Sequence, residues 1–217
     1  MELLKWDADH PDPRVLSAIA ETVLRGGIVA FPTDTLYGLG CSLFDVEAVM
    51  MVARLKRRDP SLAVISLIPE PRQAYGLASD VSPVAERLIE GYWPGPLSLI
   101  FHAAMIVPAR VRGAGGTVAL RCPKDDLCQR LLGVIGGPVV SSSANLSGQK
   151  PAETAEEVIR IFGNQIDLIL DGGPRTGGLA STLVDVSDRK PRLLRRGAVD
   201  VVADLGEYED LTVERTG

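Results

Sequence analysis

The sequence predicts an α/β fold, a twisted sheet of mixed parallel and antiparallel strands flanked by helices. Three observations carry that reading. Short apolar runs, such as residues 28–31 and 97–101, alternate with amphipathic segments that open on a capping residue. Glycine and proline punctuate the joins, as at Gly26-Gly27, Pro32 and residues 113–116. Two of the runs end in polar clusters, Thr33-Asp34-Thr35 and Ser141-Ser142-Ser143-Ala144-Asn145. Strand ends of that kind gather polar groups around a ligand in α/β enzymes.

Taken in order, Asp12-Pro13 followed by Leu16, Ile19, Ala20 and Val23 spells a capped amphipathic helix that stops at Gly26-Gly27. Residues 28–31 form a buried strand, which ends at Pro32 and delivers Thr33, Thr35 and Tyr37 to a backbone-rich loop holding Gly38 and Gly40. Asp45 caps a helix through Leu55. Residues 63–68 read as a strand, and Ser82-Pro83 opens a helix ending near Gly91. The Trp93-Pro94-Gly95-Pro96 turn aims a strand at 97–101, and a second strand follows at 117–120. Residues 125–132 form a short helix and 138–142 a strand. Thr154-x-x-Glu157 is a capping box for a helix closed by Gly163. Residues 166–170, 182–186 and 192–194 complete the strands. The chain divides into one α/β domain over residues 1–199 and an acidic, weakly patterned, loosely held tail over 200–217.

A chain of 217 residues with 46% hydrophobic and 24% charged side chains is long enough to bury one sizeable core. No apolar run approaches the ~20 residues of a membrane span, and the first residues do not read as a signal peptide. Cys41, Cys122 and Cys128 form no C-x-x-C pair, and only His10 and His102 could join them, so no protein-built metal site is expected. That cysteine usage points to a reducing, cytoplasmic setting. The net charge of −5 weighs against RNA as the main ligand, since nucleic-acid binders carry a basic footprint.

No phosphate loop of the G-x-x-x-x-G-K-[ST] type is present, and Gly38-x-Gly40 lacks the third glycine of a dinucleotide fingerprint. A nucleotide would therefore be held by discrete side chains and strand-end amides. Lys56 and Arg58 stand at the end of a predicted helix. They either complement its macrodipole or neutralise a bound anion. Ser143 and Asn145 either close a turn or hold phosphates and ribose. Arg121 reads as a surface ion pair or as a fork on a carboxylate. Tyr37 suits a core position and a pocket wall equally. No Ser/His/Asp or Cys/His arrangement is visible, and no general base can be named.

Six segments stand in an order that resembles the YrdC/TsaC family: 31–40 (FPTDTLYGLG), Lys56-x-Arg58, 93–97 (WPGPL), 117–123 (TVALRCP), Ser143-Ala144-Asn145 and Ala180-Ser181-Thr182. The resemblance spans roughly residues 13–198. It implies a YrdC-like fold and the synthesis of threonylcarbamoyl-AMP from L-threonine, bicarbonate and ATP, for threonylcarbamoyladenosine modification of tRNA. By resemblance, Lys56 and Arg58 are the catalytic cations that neutralise the triphosphate. Thr117, Ser143, Asn145 and Arg195 complete the ATP site, and Thr35, Arg121, Ser141 and Ser181 form the threonine site. Mg²⁺ would be carried with ATP, on phosphate oxygens. The implied partner is the threonylcarbamoyl-transferase complex of the pathway, with a weak contact to tRNA and no membrane.

The chain departs from the family pattern at Asp59-Pro60-Ser61-Leu62-Ala63-Val64, and at Arg196, where proline is usual. Competing readings are an RNA-binding module of the same fold, an inactive YciO-type paralogue, and a carbamoyl-transferring domain of hydrogenase maturation. The intact Ser143-Ala144-Asn145 speaks against the second. The short chain leaves no room for the further domains of the third.

Overall fold

The computed structural model describes residues 1–59, 64–175 and 179–212. In chain order the elements are β1 (Glu2–Lys5), α1 (Pro13–Leu24), β2 (Val29–Pro32), β3 (Tyr37–Ser42), α2 (Val46–Leu55), β4 (Ile65–Leu67), α3 (Ala74–Leu77), α4 (Pro83–Tyr92), β5 (Leu97–His102) and β6 (Thr117–Arg121). They continue with α5 (Asp126–Ile135), β7 (Val139–Ser143), α6 (Ala155–Phe162), β8 (Leu168–Asp171), β9 (Thr182–Asp185), β10 (Arg192–Arg195), α7 (Val202–Leu205) and β11 (Glu209–Asp210).

All strands join one sheet, in the order β1-β8-β2-β3-β7-β4-β6-β5-β9-β10-β11. Parallel pairs such as β2–β8, β4–β6 and β5–β9 mix with antiparallel pairs such as β2–β3, β3–β7 and β5–β6. The expected mixed sheet is what the chain forms.

The helices begin where their capping residues sit. Asp12, Asp45, Ser82, Asp125 and Thr154 each accept a backbone N–H from the first turn that follows. Such caps satisfy donors that the helix itself cannot. At α6 the capping box is displaced by one residue, because the Glu157 carboxylate takes the amide of Glu153 rather than that of Thr154.

Side-chain alternation sends each strand's residues to two separate cores. Ala30, Leu39, Cys41, Leu120, Val140 and Ile169 meet α2, α4 and α6 on one face. Val29, Phe31, Leu67, Val139, Leu168 and Leu170 meet α1 and α5 on the other. The α1/α5 pair covers only part of its face. Among the described residues no helix covers the remainder, over β3, β7, β4 and β6, whose residues line a cavity.

β3 is the main departure from the sequence reading, which treated residues 37–40 as loop. Only Thr33–Leu36 turns; Tyr37 to Ser42 run back beside β2 and pair on their other edge with β7. The pattern is a strand whose core-facing positions are Tyr37, Leu39 and Cys41, and whose opposite positions are Gly38 and Gly40. Glycine hides the alternation from hydropathy while meeting a packing need. A Cβ at Gly38 would lie 2.5 Å from Ser141 Oγ, and one at Gly40 would lie 2.9 Å from the Val140 carbonyl and press on the Phe31 ring.

Four further elements lay outside the expected set: β1, the short α3, α7 and β11. β1 pairs in parallel with β8 at the sheet edge. Residues 200–212, expected as a loose tail, carry α7, whose Leu205 is buried, and β11, which pairs with β10. Residues 60–63 of the atypical segment 59–64, with the start of the strand expected at 63, and the tail end 213–217 lie outside the described residues.

The glycine argument gives a stability test with an internal control. Gly40→Ala is expected to cost about 1–3 kcal/mol in urea unfolding, the usual scale of overpacking. Gly76→Ala, in α3 with open space around its site, should stay within about 1 kcal/mol of the parent or gain stability. Equal midpoints for the two variants would contradict close packing at β3.

Candidate active site

The turn between β2 and β3 is built by Thr33. Its hydroxyl donates to the Leu36 carbonyl at 2.8 Å and accepts the Thr35 and Leu36 amides at 3.2 and 3.3 Å. Thr33 therefore holds the turn, and Thr35, 3.1 Å away oxygen to oxygen, presents its hydroxyl to the cavity. Arg121, at the end of β6, reaches the same place. Its Nη1 lies 3.4 Å from Thr35 Oγ1, its Nε donates to the Gly95 carbonyl at 3.0 Å, and its Nη2 pairs with the Asp34 carboxylate. Of the two readings open from sequence, the ion pair exists but is buried: the Arg121 side chain is 5% exposed and that of Asp34 17%.

Lys56 caps the C-terminus of α2, yet it does not simply complement a helix end. It is 3% exposed, and its ammonium donates to the Ser143 carbonyl, to the Asn145 carbonyl at 2.9 Å and to Asn145 Oδ1 at 2.9 Å. Ser143 Oγ donates to the same Oδ1 at 2.6 Å, and the Asn145 amide group closes on the carbonyls of Leu146 and Gln149. The Ser147 amide returns to the Lys56 carbonyl at 2.9 Å. The Lys-x-Arg and Ser-Ala-Asn motifs, 87 residues apart, form one polar knot at the end of β7. Burial, reinforced by nearby Arg58, lowers the lysine pKa to about 8.

Above this knot and across the open sheet face lies a cavity of about 1470 Å³. Of the residues singled out from sequence, Thr35, Arg58, Arg121, Ser141, Ser143, Asn145, Ser181 and Arg195 line it. Lys56 sits beneath its wall. Thr117 stands apart, at the opposite end of β6 from Arg121, with its hydroxyl donated to the Ala114 carbonyl at 3.0 Å. Arg195, expected beside ATP, donates through Nε to the Ser181 carbonyl at 2.9 Å and through Nη2 to the Ser181 hydroxyl at 3.1 Å. Ser181 in turn shares a hydrogen bond with Ser98 at 2.8 Å. Arg195 thus lies at the junction of the two expected substrate sites.

Sequence reasoning missed part of the wall. Lys150 and Glu153, joined by an ion pair at 3.1 Å, line the cavity beyond the Ser-Ala-Asn turn. Arg196, Asp210 and Thr212 line its outer rim. The Thr212 hydroxyl and amide hydrogen-bond to Asp210, and together with the Arg196 guanidinium they hold its carboxyl down at about 2. The signal was present at Arg196, noted as a departure. Its partner lay in a segment whose composition suggested only a solvated tail. Among the described residues no cluster of three or more His, Cys, Asp or Glu side chains could hold a metal, and no helix is long and apolar enough to cross a membrane.

A sheet with one half-open face, carrying polar strand ends and buried cations, defines an α/β protein built to hold an anionic ligand. Residues 21–197 match the model of the Sua5/YciO/YrdC family, described as "Telomere recombination", and the chain belongs to that family. It is 35% identical over 177 residues to the threonylcarbamoyl-AMP synthase of Pyrococcus abyssi, covering 82% of this chain but 52% of that protein. This chain therefore spans about half the length of that relative. It is 37% identical over 200 residues to a putative threonylcarbamoyl-AMP synthase of Mycobacterium leprae, covering 90% of each. The crystal structure of P. abyssi Sua5 complexed with L-threonine superposes with a TM-score of 0.91 at 30% identity, over 97% of this chain and 62% of that one. That of Escherichia coli YciO superposes with a TM-score of 0.86 at 28% identity, over 94% of this chain and all of the other.

The lowered lysine pKa gives a pH test. Between about 8 and 10.5 the unfolded chain still holds a Lys56 proton that the folded protein has released. Stability contributed by this site must therefore rise with pH across that window. The buried thiols of Cys41 and Cys128 and the Tyr37 phenol, all raised by burial, oppose it. Subtracting a Lys56→Met variant removes those shared contributions. The wild type should gain on that variant by on the order of 3 kcal/mol from pH 8 to 10.5, read by urea unfolding. A flat difference would mean an ordinary lysine.

Proposed function

We propose that this chain is an L-threonylcarbamoyladenylate synthase, joining L-threonine, bicarbonate and ATP with release of pyrophosphate. The observation that carries the reading is one cavity with two unlike ends. At one, the Arg121 guanidinium lies beside the Thr35 hydroxyl, a pairing suited to an amino-acid carboxylate and its neighbouring polar group. At the other, Arg58 and the Ser143–Asn145 turn stand over the buried Lys56 ammonium, which suits a polyphosphate. The L-threonine bound to P. abyssi Sua5 supports the first assignment, and the names of the P. abyssi and M. leprae relatives support the reaction.

The chemistry asks for little beyond positioning. The threonine amine adds to bicarbonate with loss of water, giving a carbamate. A carbamate oxygen then attacks the α-phosphorus, and the bond to pyrophosphate breaks. Charge grows on the α-phosphoryl oxygens and on the leaving group, where Arg58 and Arg195 meet it directly and Lys56 from below. Mg²⁺ enters with the nucleotide. The product passes to the threonylcarbamoyl-transferase complex that modifies tRNA, in the cytoplasm, with any contact to tRNA itself weak. The intact Ser143-Ala144-Asn145 knot favours this reading over a non-catalytic YciO-type role.

The direct test is pyrophosphate release with each substrate omitted in turn. Full rate is expected only with L-threonine, bicarbonate and Mg-ATP together; an equal rate without threonine would sink the assignment. Arg58→Ala should lower turnover roughly tenfold to a thousandfold, the scale of losing one transition-state donor. Lys56→Ala would also loosen the knot, so its loss of rate must be read beside its melting midpoint.

Arg121→Lys separates the two ends of the cavity. Loss of a charged hydrogen bond is worth about 1.5–3 kcal/mol, so the threonine KM should rise roughly ten- to a hundredfold with the ATP KM little changed. A rise in the ATP KM alone would place Arg121 at the other end.

A further inference from the structure

Arg121 is held on one edge by the protein itself. Its Nε meets the Gly95 carbonyl and its Nη2 the Asp34 carboxylate, so the edge formed by these two nitrogens faces protein groups. The Gly95 contact is fixed from behind, because the Gly95 amide donates to the Cys122 carbonyl at 2.8 Å, one residue beyond the end of β6. Asp34 comes from the other side, on the Thr33–Leu36 turn, with its second oxygen 3.4 Å from the Lys124 amide. A guanidinium is planar, so pinning two points on one edge fixes the direction of the other. The remaining nitrogen, Nη1, is the one beside Thr35 Oγ1 at the cavity wall.

Asp34 itself does not line the cavity. It approaches the guanidinium from outside the space a ligand would fill and does not take the Nη1 side. Without it, Arg121 would keep a single anchor at Nε and could swing about its Cδ–Nε bond. The Arg121 side chain, 5% exposed, would also lose its carboxylate partner, a costly state for a buried charge.

We propose that Asp34 is a positioning residue for the amino-acid substrate: it locks the Arg121 guanidinium so that the Nη1 side is presented, fixed in plane, to the substrate carboxylate. Asp34 acts through Arg121 and touches no reacting atom. The inference rests on Arg121 meeting the threonine carboxylate, as proposed above.

The test is a double-mutant cycle on the full chain, with L-threonine as the probe. Calorimetric binding and both KM values are measured for wild type, Asp34→Asn, Asp34→Glu, Arg121→Lys and Asp34→Asn/Arg121→Lys. Asp34→Asn should weaken L-threonine about tenfold and leave ATP within about twofold, and Asp34→Glu should recover part of the loss. In the Arg121→Lys background, Asp34→Asn should cost nothing further, because the group it orients is gone. A lowered melting midpoint with unchanged threonine affinity would reduce Asp34 to a structural ion pair and overturn the proposal. Tighter threonine binding in Asp34→Asn would overturn it too, by showing that Asp34 competes with the substrate. If Arg121→Lys alone leaves threonine binding unchanged, the placement of the substrate carboxylate fails, a result distinct from failure of Asp34.

Discussion

Lys56 leaves the last turn of α2 and carries its ammonium to the end of β7, where the carbonyls of Ser143 and Asn145 and the side-chain oxygen of Asn145 receive it. The hydrogen bonds at that ammonium all go to neutral oxygens. A buried cation solvated only by dipoles keeps an unfavourable self-energy, which is why its pKa falls to about 8. The same arrangement leaves positive potential at the cavity wall above it. An anion arriving there would relieve the cost of burying the lysine, so the folded protein stores in this knot part of what binding returns. The knot also fixes the Ser143–Asn145 turn, and with it the wall formed by Gln149, whose carbonyl is tied to the Asn145 amide.

The acidic balance of the chain, net −5, does not contradict the anionic ligand proposed for the cavity. Among the described residues, carboxylates at or beside the cavity are matched: Asp34 with Arg121, Glu153 with Lys150, and Asp210 with Arg196. Paired in this way, they add little repulsion toward a polyphosphate. Screening by solvent weakens the last two pairs, whose side chains are half-exposed or more on the basic partner. Of these three, the Asp34–Arg121 pair is the one shielded enough to act as a fixed element of geometry rather than a fluctuating surface contact.

What the sequence disclosed follows from which physical signals are local. The helix starts were legible because a cap is a contact between residues two or three apart, as at Asp45 and Thr154. The polar strand ends at Thr35 and Ser141 to Asn145 were legible because hydroxyls after an apolar run have few other uses. β3 was not legible, because its glycines answer to Ser141 and Phe31, residues the local pattern cannot see. β11 was obscured by composition: acidic residues read as solvated, while the backbone of residues 209–211 hydrogen-bonds beside β10 and Asp210 lines the cavity rim. The position of Thr117 is a matter of strand direction, since β6 brings Arg121 to the cavity and leaves Thr117 at its far end.

The sequence offered Lys56 as a helix-end or site cation and gave no sign of its structural role in the Ser143–Asn145 knot, which bears on how the two ends of the cavity communicate. Ser143 receives Lys56 and pairs in register with Gly38, while Ser141 on the same strand pairs with Gly40 and sits against Gly38. Gly38 follows directly on Tyr37, and the turn that presents Thr35 and Asp34 closes just before it. The Ser143–Lys56 end and the Thr35–Arg121 end are thus two ends of one hairpin-and-strand unit, β2–β3–β7, with a few residues of backbone between them. In such a rigid frame, a displacement at Ser143 is carried to Thr35 and Arg121 by ladder hydrogen bonds rather than by a loose loop. In the reaction proposed above, the reacting groups of two substrates can then be held in one geometry without a residue that bridges them, as a reaction limited by positioning requires.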